Sequence, residues 1–282
     1  PMLGLVVPNP MHRAEAFKWL GGLAAALVVL LVLILTGVVT ASNVANFVTI
    51  LAVGGAVIIF AFLLTSKNID DDERSRVVAF IPMFIGTAAF FALFQQQFTV
   101  LALYADTRMD RAIDFGFFQW TIPVSWAQSF NPFFIILFAP VFAALWSKLG
   151  TRGPGTPLKF ALGIIFMGSA FLLFIPMAGV ASVPVLWVAL IMLVATWGEL
   201  MISPVGLSLA SKLGPRMYPV LMMALYNLSV ATGTALSGSL AGFYSPENEA
   251  AYFGILGAVT IGLGLTMLLI KKPIGTAMRG IR

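Results

Sequence analysis

The sequence predicts an all-helical membrane protein, an all-α fold with no soluble domain. Three observations carry that prediction. Eight continuous apolar runs are each long enough to cross a bilayer, the composition is 60% hydrophobic and only 10% charged, and the basic residues gather on one side of the implied membrane. A soluble domain is about a quarter charged, so the solvent of this 282-residue chain is largely lipid. The runs do not alternate with period two, which selects helices over a barrel.

A spanning helix needs about 20 apolar residues. Runs near 17–40, 45–66, 77–104, 128–147, 158–178, 183–209, 219–242 and 251–270 meet that need. Ser42-Asn43 separates the first pair, and residues 67–76 (KNIDDDERSR) form a charged linker. The longest gap, 106–126, holds Trp120, Pro123 and Trp126 and reads as an interfacial segment. Residues 150–157 (GTRGPGTP) are a turn-rich loop that lacks the Lys-Ser/Thr ending of a phosphate loop. Ala178 to Val183, Ser211 to Pro219 and Ser245 to Glu247 close the remaining connections. The chain begins at Pro1, with no signal-peptide pattern, and is expected to be a piece of something longer.

Eight spans put both ends on one side. On that side fall 14 of the 16 basic residues, leaving only Arg108 and Arg111 on the other. This is a positive-inside signal and predicts that both termini of the segment are cytoplasmic, in a cell inner or plasma membrane. The net charge of +5 therefore reflects topology. The basic residues are dispersed among short loops without an aromatic-interleaved stripe, so no nucleic-acid partner is expected. The absence of Cys excludes a disulfide scaffold and a thiolate site, and the single His12 excludes a His-clustered metal centre. No HExxH, GxSxG or CxxC pattern occurs, so no enzyme, no catalytic residue and no cofactor or metal is predicted.

Ten of the 11 acids fall in the loops or flanks, and one, Glu199, lies well inside a span. An acid at the centre of a membrane helix costs roughly 2.5–3.5 kcal/mol even on the gentler insertion scales. It persists there if it faces water, finds a cation or stays protonated, and such a group can couple proton uptake to another event. A structural acid, hydrogen-bonded between helices, is the alternative. In the run GELMISPVGLS (198–208), Ser203 is one turn from Glu199 on the same face, and Pro204 removes a ladder hydrogen bond. Gly198 and Gly206 allow close helix approach. Together they describe the wall of a cavity that moves.

Asn131, with Gln128, sits in QSFNP (128–132) and is either a cavity amide or interhelical glue. Gln95, Gln96 and Gln97 are consecutive; side chains about 100° apart cannot all face one cavity. Gln95 or Gln96 is expected to. In MMALYNLS (222–229), Tyr226 and Ser229 share a face, and Tyr226 is a candidate for stacking on a substrate or for the core.

GELMISPVGLS with the following Lys212-Leu213, QSFNP, the APVFAALW that follows it (139–146) and MMALYNLS resemble the carboxy-terminal half of the proton-dependent oligopeptide transporters, the peptide branch of the major facilitator superfamily. The resemblance covers most of 77–270. It implies half of a major facilitator fold, a six-helix bundle, preceded by a two-helix transmembrane hairpin. The implied organisation is a cytoplasmic connection at 1–16, the inserted hairpin at 17–66, a cytoplasmic linker at 67–76, the bundle at 77–270 and a cytoplasmic tail at 271–282. The implied function is proton-coupled symport of di- and tripeptides by alternating access. Glu199 matches the acid that meets the peptide amino terminus and takes part in proton coupling. Asn131 matches an asparagine that also holds the amino end, and Ser203 the cavity serine one turn beyond the acid. Tyr226 falls where many members carry a pocket Trp. Gln95 stands where many relatives have Glu, which removes an inter-bundle salt bridge there. The implied partners are a small peptide substrate, protons, the lipid bilayer and the missing amino-terminal six-helix bundle, whose ExxER motif this chain does not contain. A transporter of nitrate or an organic anion, and a non-transporting membrane scaffold subunit, are the alternatives.

Overall fold

The computed structural model describes residues 13–40, 43–114, 116, 117 and 119–281. Residues 1–12, most of the expected connection and including His12, lie outside them, as does Ser42. The chain divides into two compact units, 1–47 and 48–282.

The first unit holds α1 (Arg13–Leu35) and the start of α2 (Val44–Thr65). The predicted span 17–40 ends earlier than expected, at Leu35. Gly37 adopts φ 73°, its amide bonds the Ile34 carbonyl at 3.0 Å, and the Val39 amide reaches Leu33 at 3.0 Å. A glycine in the left-handed region closes a helix in this way. The apolar stretch Leu20–Leu35 is accordingly shorter than the other spans. Asn43 then starts α2, accepting from the Thr40 amide at 2.8 Å and donating to the Val38 carbonyl at 2.9 Å.

In the second unit follow α3 (Asp71–Phe94), α4 (Val100–Thr107), α5 (Trp126–Leu149), α6 (Thr156–Leu172), α7 (Val185–Leu213), α8 (Pro219–Ala241), α9 (Glu249–Leu269) and a short α10 (Lys271–Ala277). Among the described residues seven spans are long and apolar enough to cross a membrane: α2, α3 with α4, and α5 to α9. The charged linker starts α3 with a capping box, in which Asp70 accepts from the Glu73 amide at 2.7 Å and Glu73 reaches back to the Asp70 amide.

The run 77–104 falls within one span, 71–107, in which a 3₁₀ turn at Gln95–Phe98 separates α3 from α4. Gln96 donates back to the Ala92 carbonyl at 3.2 Å, competing with the helical ladder, and its carbonyl accepts from Tyr252 at 2.7 Å. Gln95 turns the other way, to Thr234 on α8 at 3.2 Å. The 106–126 gap holds small strands that the sequence did not announce. Here β1 (Met109–Asp110) pairs in parallel with β4 (Val183–Pro184), and β2 (Ala112–Asp114) pairs antiparallel with β3 (Gln119–Thr121).

Small residues set the helix packing. A Cβ on Gly168 of α6 would lie 2.7 Å from the Gly257 carbonyl of α9, and one on Gly257 would lie 2.8 Å from the Gly168 carbonyl. Only glycine lets two backbones meet this closely. Gly163 of α6 and Gly198 of α7 face each other in the same manner, at 2.9 and 2.7 Å.

The ends of the bundle differ in charge. Ser75 donates to the Ala277 carbonyl at 3.0 Å, the Arg216 amide to Glu73 at 2.9 Å, and Arg279 pairs with Asp72 at 3.1 Å. The linker, the 211–219 connection and the tail therefore share one end. The tail is not extended: α10 packs down with Ile274 and Met278 buried. Arg108 and Arg111 occupy the opposite end, where Arg108 pairs with Glu249 at 2.9 Å and Arg111 with Asp106 at 3.1 Å.

Candidate functional site

Glu199 is placed by the residue before it. Gly198 lets α7 press against α6, which turns the next side chain away from that contact and toward α5. There Asn131 is buried, and its Nδ2 donates to Glu199 Oε2 at 2.8 Å and to Thr196 Oγ1 at 3.1 Å. The Thr196 hydroxyl in turn donates to the Met192 carbonyl at 2.7 Å. The acid is half-buried, and among the described residues no Lys or Arg forms an ion pair with it.

Glu199 and Ser203 line one open cleft of about 610 Å³, between α5 and α7. Ile135, Ala139 and Phe142 form its apolar wall on α5. The cleft continues past Pro204 and Ser208 to Lys159, Lys212 and Trp146, where the Lys159 ammonium lies 4.4 Å above the Trp146 ring. Glu199 and Lys212 are thirteen positions apart, about 20 Å along a straight helix. The cleft thus has an acidic depth and a basic mouth.

Ser203 and Tyr226 meet through the backbone. The Tyr226 hydroxyl donates to the Ser203 carbonyl at 3.2 Å. The four residues from Glu199 to Ser203 are helical, and α7 runs uninterrupted through Pro204. Ser203 Oγ is buried without a hydrogen-bond partner among the described residues. Ser229, on the Tyr226 face, donates to the Tyr226 carbonyl at 2.6 Å. Tyr226 itself is buried and does not line the cleft surface, and Gln95 is held on Thr234, also away from that lining. The structure therefore brings Asn131, Glu199 and Ser203 together, sets Tyr226 behind them, and leaves Gln95 apart.

Sequence reasoning missed Thr196 and the lysines. Thr196 is three residues before Glu199, on the same helical face, and that spacing was a readable signal. Lys159 and Lys212 were read as loop charges only, because nothing in sequence tells that α6 and α7 bring them to the mouth of the same cleft. Among the described residues no cluster of three or more His, Cys, Asp or Glu could hold a metal ion.

A bundle of membrane-crossing helices around a lone acid in an open cleft has the architecture of a transporter of the major facilitator type. Solved structures share it. A variant of peptide transporter POT in complex with alafosfalin superposes with a TM-score of 0.86 at 41% identity, covering 97% of this chain and 56% of that one. A POT family transporter in complex with 5-aminolevulinic acid superposes at 0.82 with 33% identity, over 94% of this chain and 55% of that one. The model of the POT family matches residues 35–257. The chain belongs to that family, the proton-dependent oligopeptide transporters, which are membrane transporters and not enzymes. It is 38% identical to the uncharacterized transporter YclF of Bacillus subtilis (strain 168), over 99% of this chain and 57% of that protein. It is 33% identical to the di-/tripeptide transporter of Lactococcus lactis subsp. cremoris, over 100% of this chain and 59% of that protein. The chain thus spans a little over half the length of these relatives, and it is a multi-pass membrane protein.

Proposed function

We propose that this chain is the carboxy-terminal half of a proton-coupled importer of di- and tripeptides, working by alternating access. The 77–270 region is its six-helix bundle and 17–66 the inserted hairpin. The observation that carries the reading is the Asn131–Glu199 contact, 2.8 Å long, at the depth of an open cleft where no ion pair among the described residues neutralises the acid. A peptide ammonium supplies the absent cation. Its arrival favours the ionised carboxylate and releases a proton, and its departure reverses that, so peptide and proton occupancy are linked through one group. Asn131 holds the carboxylate toward the cleft, Ser203 keeps a buried, unpartnered hydroxyl one turn on, and Tyr226 supports that turn from behind. Gln95, uncharged and engaged by Thr234, serves the bundle interface and carries no proton.

The remaining length of the relatives corresponds to an amino-terminal bundle, which alternating access requires on the open side of the cleft. The basic end, with the linker and tail, faces the cytoplasm by the positive-inside rule.

The test is uptake by full-length protein in liposomes. Under an inward proton gradient the wild type concentrates labelled dipeptide and not nitrate, and Glu199→Gln abolishes that accumulation. Counterflow exchange, which needs no net proton movement, survives in part. A Gln variant that concentrates dipeptide as well as wild type removes Glu199 from proton coupling.

A further inference from the structure

The basic end carries a second niche, on the other side of the α6 start from the Glu199 cleft. Gly155 caps α6 without a side chain, Thr156 is its first residue and Pro157 its second. Pro157 has no amide hydrogen. The Leu158 and Lys159 amides both bond the Gly155 carbonyl, at 3.0 and 3.1 Å. The donor left at the positive end of this helix is the Thr156 amide.

Beside that amide stands the Thr156 side chain. It is only 6% exposed, borders both the cleft mouth and the niche, and makes no hydrogen bond among the described residues. This side chain sits at the wall of a hollow of about 620 Å³. Across the hollow, where α9 passes into α10, stand Lys271 and Lys272. No acid lines it. The acids of the neighbouring α3 start are engaged elsewhere: Asp72 by Arg279 at 3.1 Å, and Glu73 by the Arg216 amide at 2.9 Å.

Depth narrows the choice of ligand. The spans that bound the niche begin at Thr156 and end at Leu269, so it lies where two membrane helices reach the headgroup layer. Leu265 and Leu269, in the last turns of α9 before Lys271, leave apolar surface exposed, 49% and 82%. Two ammonium groups, a helix-start amide and the Thr156 hydroxyl answer the oxygens of a phosphate, and the apolar end of α9 answers an acyl chain. We propose that this niche binds the phosphate group of an anionic phospholipid, a function separate from peptide transport and independent of the reading of Glu199.

Native mass spectrometry of the full-length protein in detergent tests it, with phosphatidylglycerol, phosphatidylcholine and inorganic phosphate titrated separately. Phosphatidylglycerol is expected to bind about tenfold more tightly than phosphatidylcholine, as two lysines at a membrane surface allow. Lys271→Gln with Lys272→Gln, and separately Thr156→Val, reduce that preference to within about twofold. Lys67→Gln with Lys148→Gln removes the same charge from the same end and leaves the preference intact. Equal loss in this control reduces the effect to diffuse charge and overturns the site. Wild-type preference in the niche variants overturns it as well. Protection by inorganic phosphate with no lipid preference overturns the lipid assignment and places free phosphate in the niche.

Discussion

Glu249 and Glu199 are carboxylates of one bundle in opposite surroundings. Glu249, the first residue of α9, is 3% exposed; Arg108 holds one of its oxygens at 2.9 Å and the Tyr244 hydroxyl donates to the other at 3.0 Å. Arg108 is anchored in turn on the Val180 and Met177 carbonyls, at 2.7 and 3.2 Å. Burial and the neighbouring carboxylate push the Tyr244 hydroxyl above its usual range, so it remains a donor. Glu199 accepts from one neutral amide and opens onto a cleft. The first acid has every need met inside the fold and ties α4, the 175–180 turn and the α8–α9 hairpin together. The second has a need left over, which a ligand can meet. On the proposed reading, the supply of partners is what sets the structural acid apart from the functional one.

The comparison breaks most visibly at Arg108. Arg108→Ala strands a buried carboxylate, and losing one partner of such a pair costs about 3–5 kcal/mol. The thermal unfolding midpoint of the full-length protein in detergent should fall sharply, while protein that remains folded keeps its dependence of uptake on the proton gradient. Loss of that dependence at unchanged stability would make Glu249 a coupling group and erase the contrast.

Asn131 sharpens the comparison from the other side, because it is the one side-chain donor on Glu199 among the described residues. Asn131→Ala removes a hydrogen bond to a carboxylate, worth about 1.5–3 kcal/mol, so proton-driven dipeptide uptake should fall by about tenfold or more. The unfolding midpoint should move far less than in Arg108→Ala. The opposite outcome, normal uptake with a large loss of stability, identifies Asn131 as glue between α5 and α7.

The contrast was half legible in the sequence. Glu199 stood out because a lone charge inside an apolar run is a strong signal, and Asn131 and Ser203 followed from helical spacing and from resemblance. Glu249 read as an ordinary loop acid. Its burial depends on Arg108, 141 positions earlier, reaching it across the fold, and no local pattern encodes such a meeting. The same holds for Lys159 and Lys212 at the cleft mouth. The break at Gln95–Phe98 escaped because an apolar count treats three glutamines as tolerable in a span. Gln96 bonds the Ala92 carbonyl locally, but the Gln95 bond to Thr234 and the Tyr252 bond to Gln96 join residues that only folding brings near. The early end of α1 was readable: Thr36-Gly37 is a helix-stop signal inside the apolar run, outvoted there by the Val-Val that follows.

The smallest expected effect concerns Tyr226, which tests how far the open acid's surroundings extend. Its hydroxyl lies against the Ser203 carbonyl at 3.2 Å, a backbone group that Pro204 and the helix geometry already hold in place. Tyr226→Phe removes one neutral hydrogen bond and keeps the ring, so the loss is about 0.5–1.5 kcal/mol. If Tyr226 only braces α7, that loss appears in the unfolding midpoint, and dipeptide uptake changes by less than about threefold at any proton gradient. If the hydroxyl instead stabilises the Glu199 carboxylate during transport, the pH dependence of uptake shifts while the unfolding midpoint stays near wild type. A double variant with Glu199→Gln separates the two: bracing adds to the effect of the Gln substitution on stability, whereas a role through the carboxylate disappears once the carboxylate is gone.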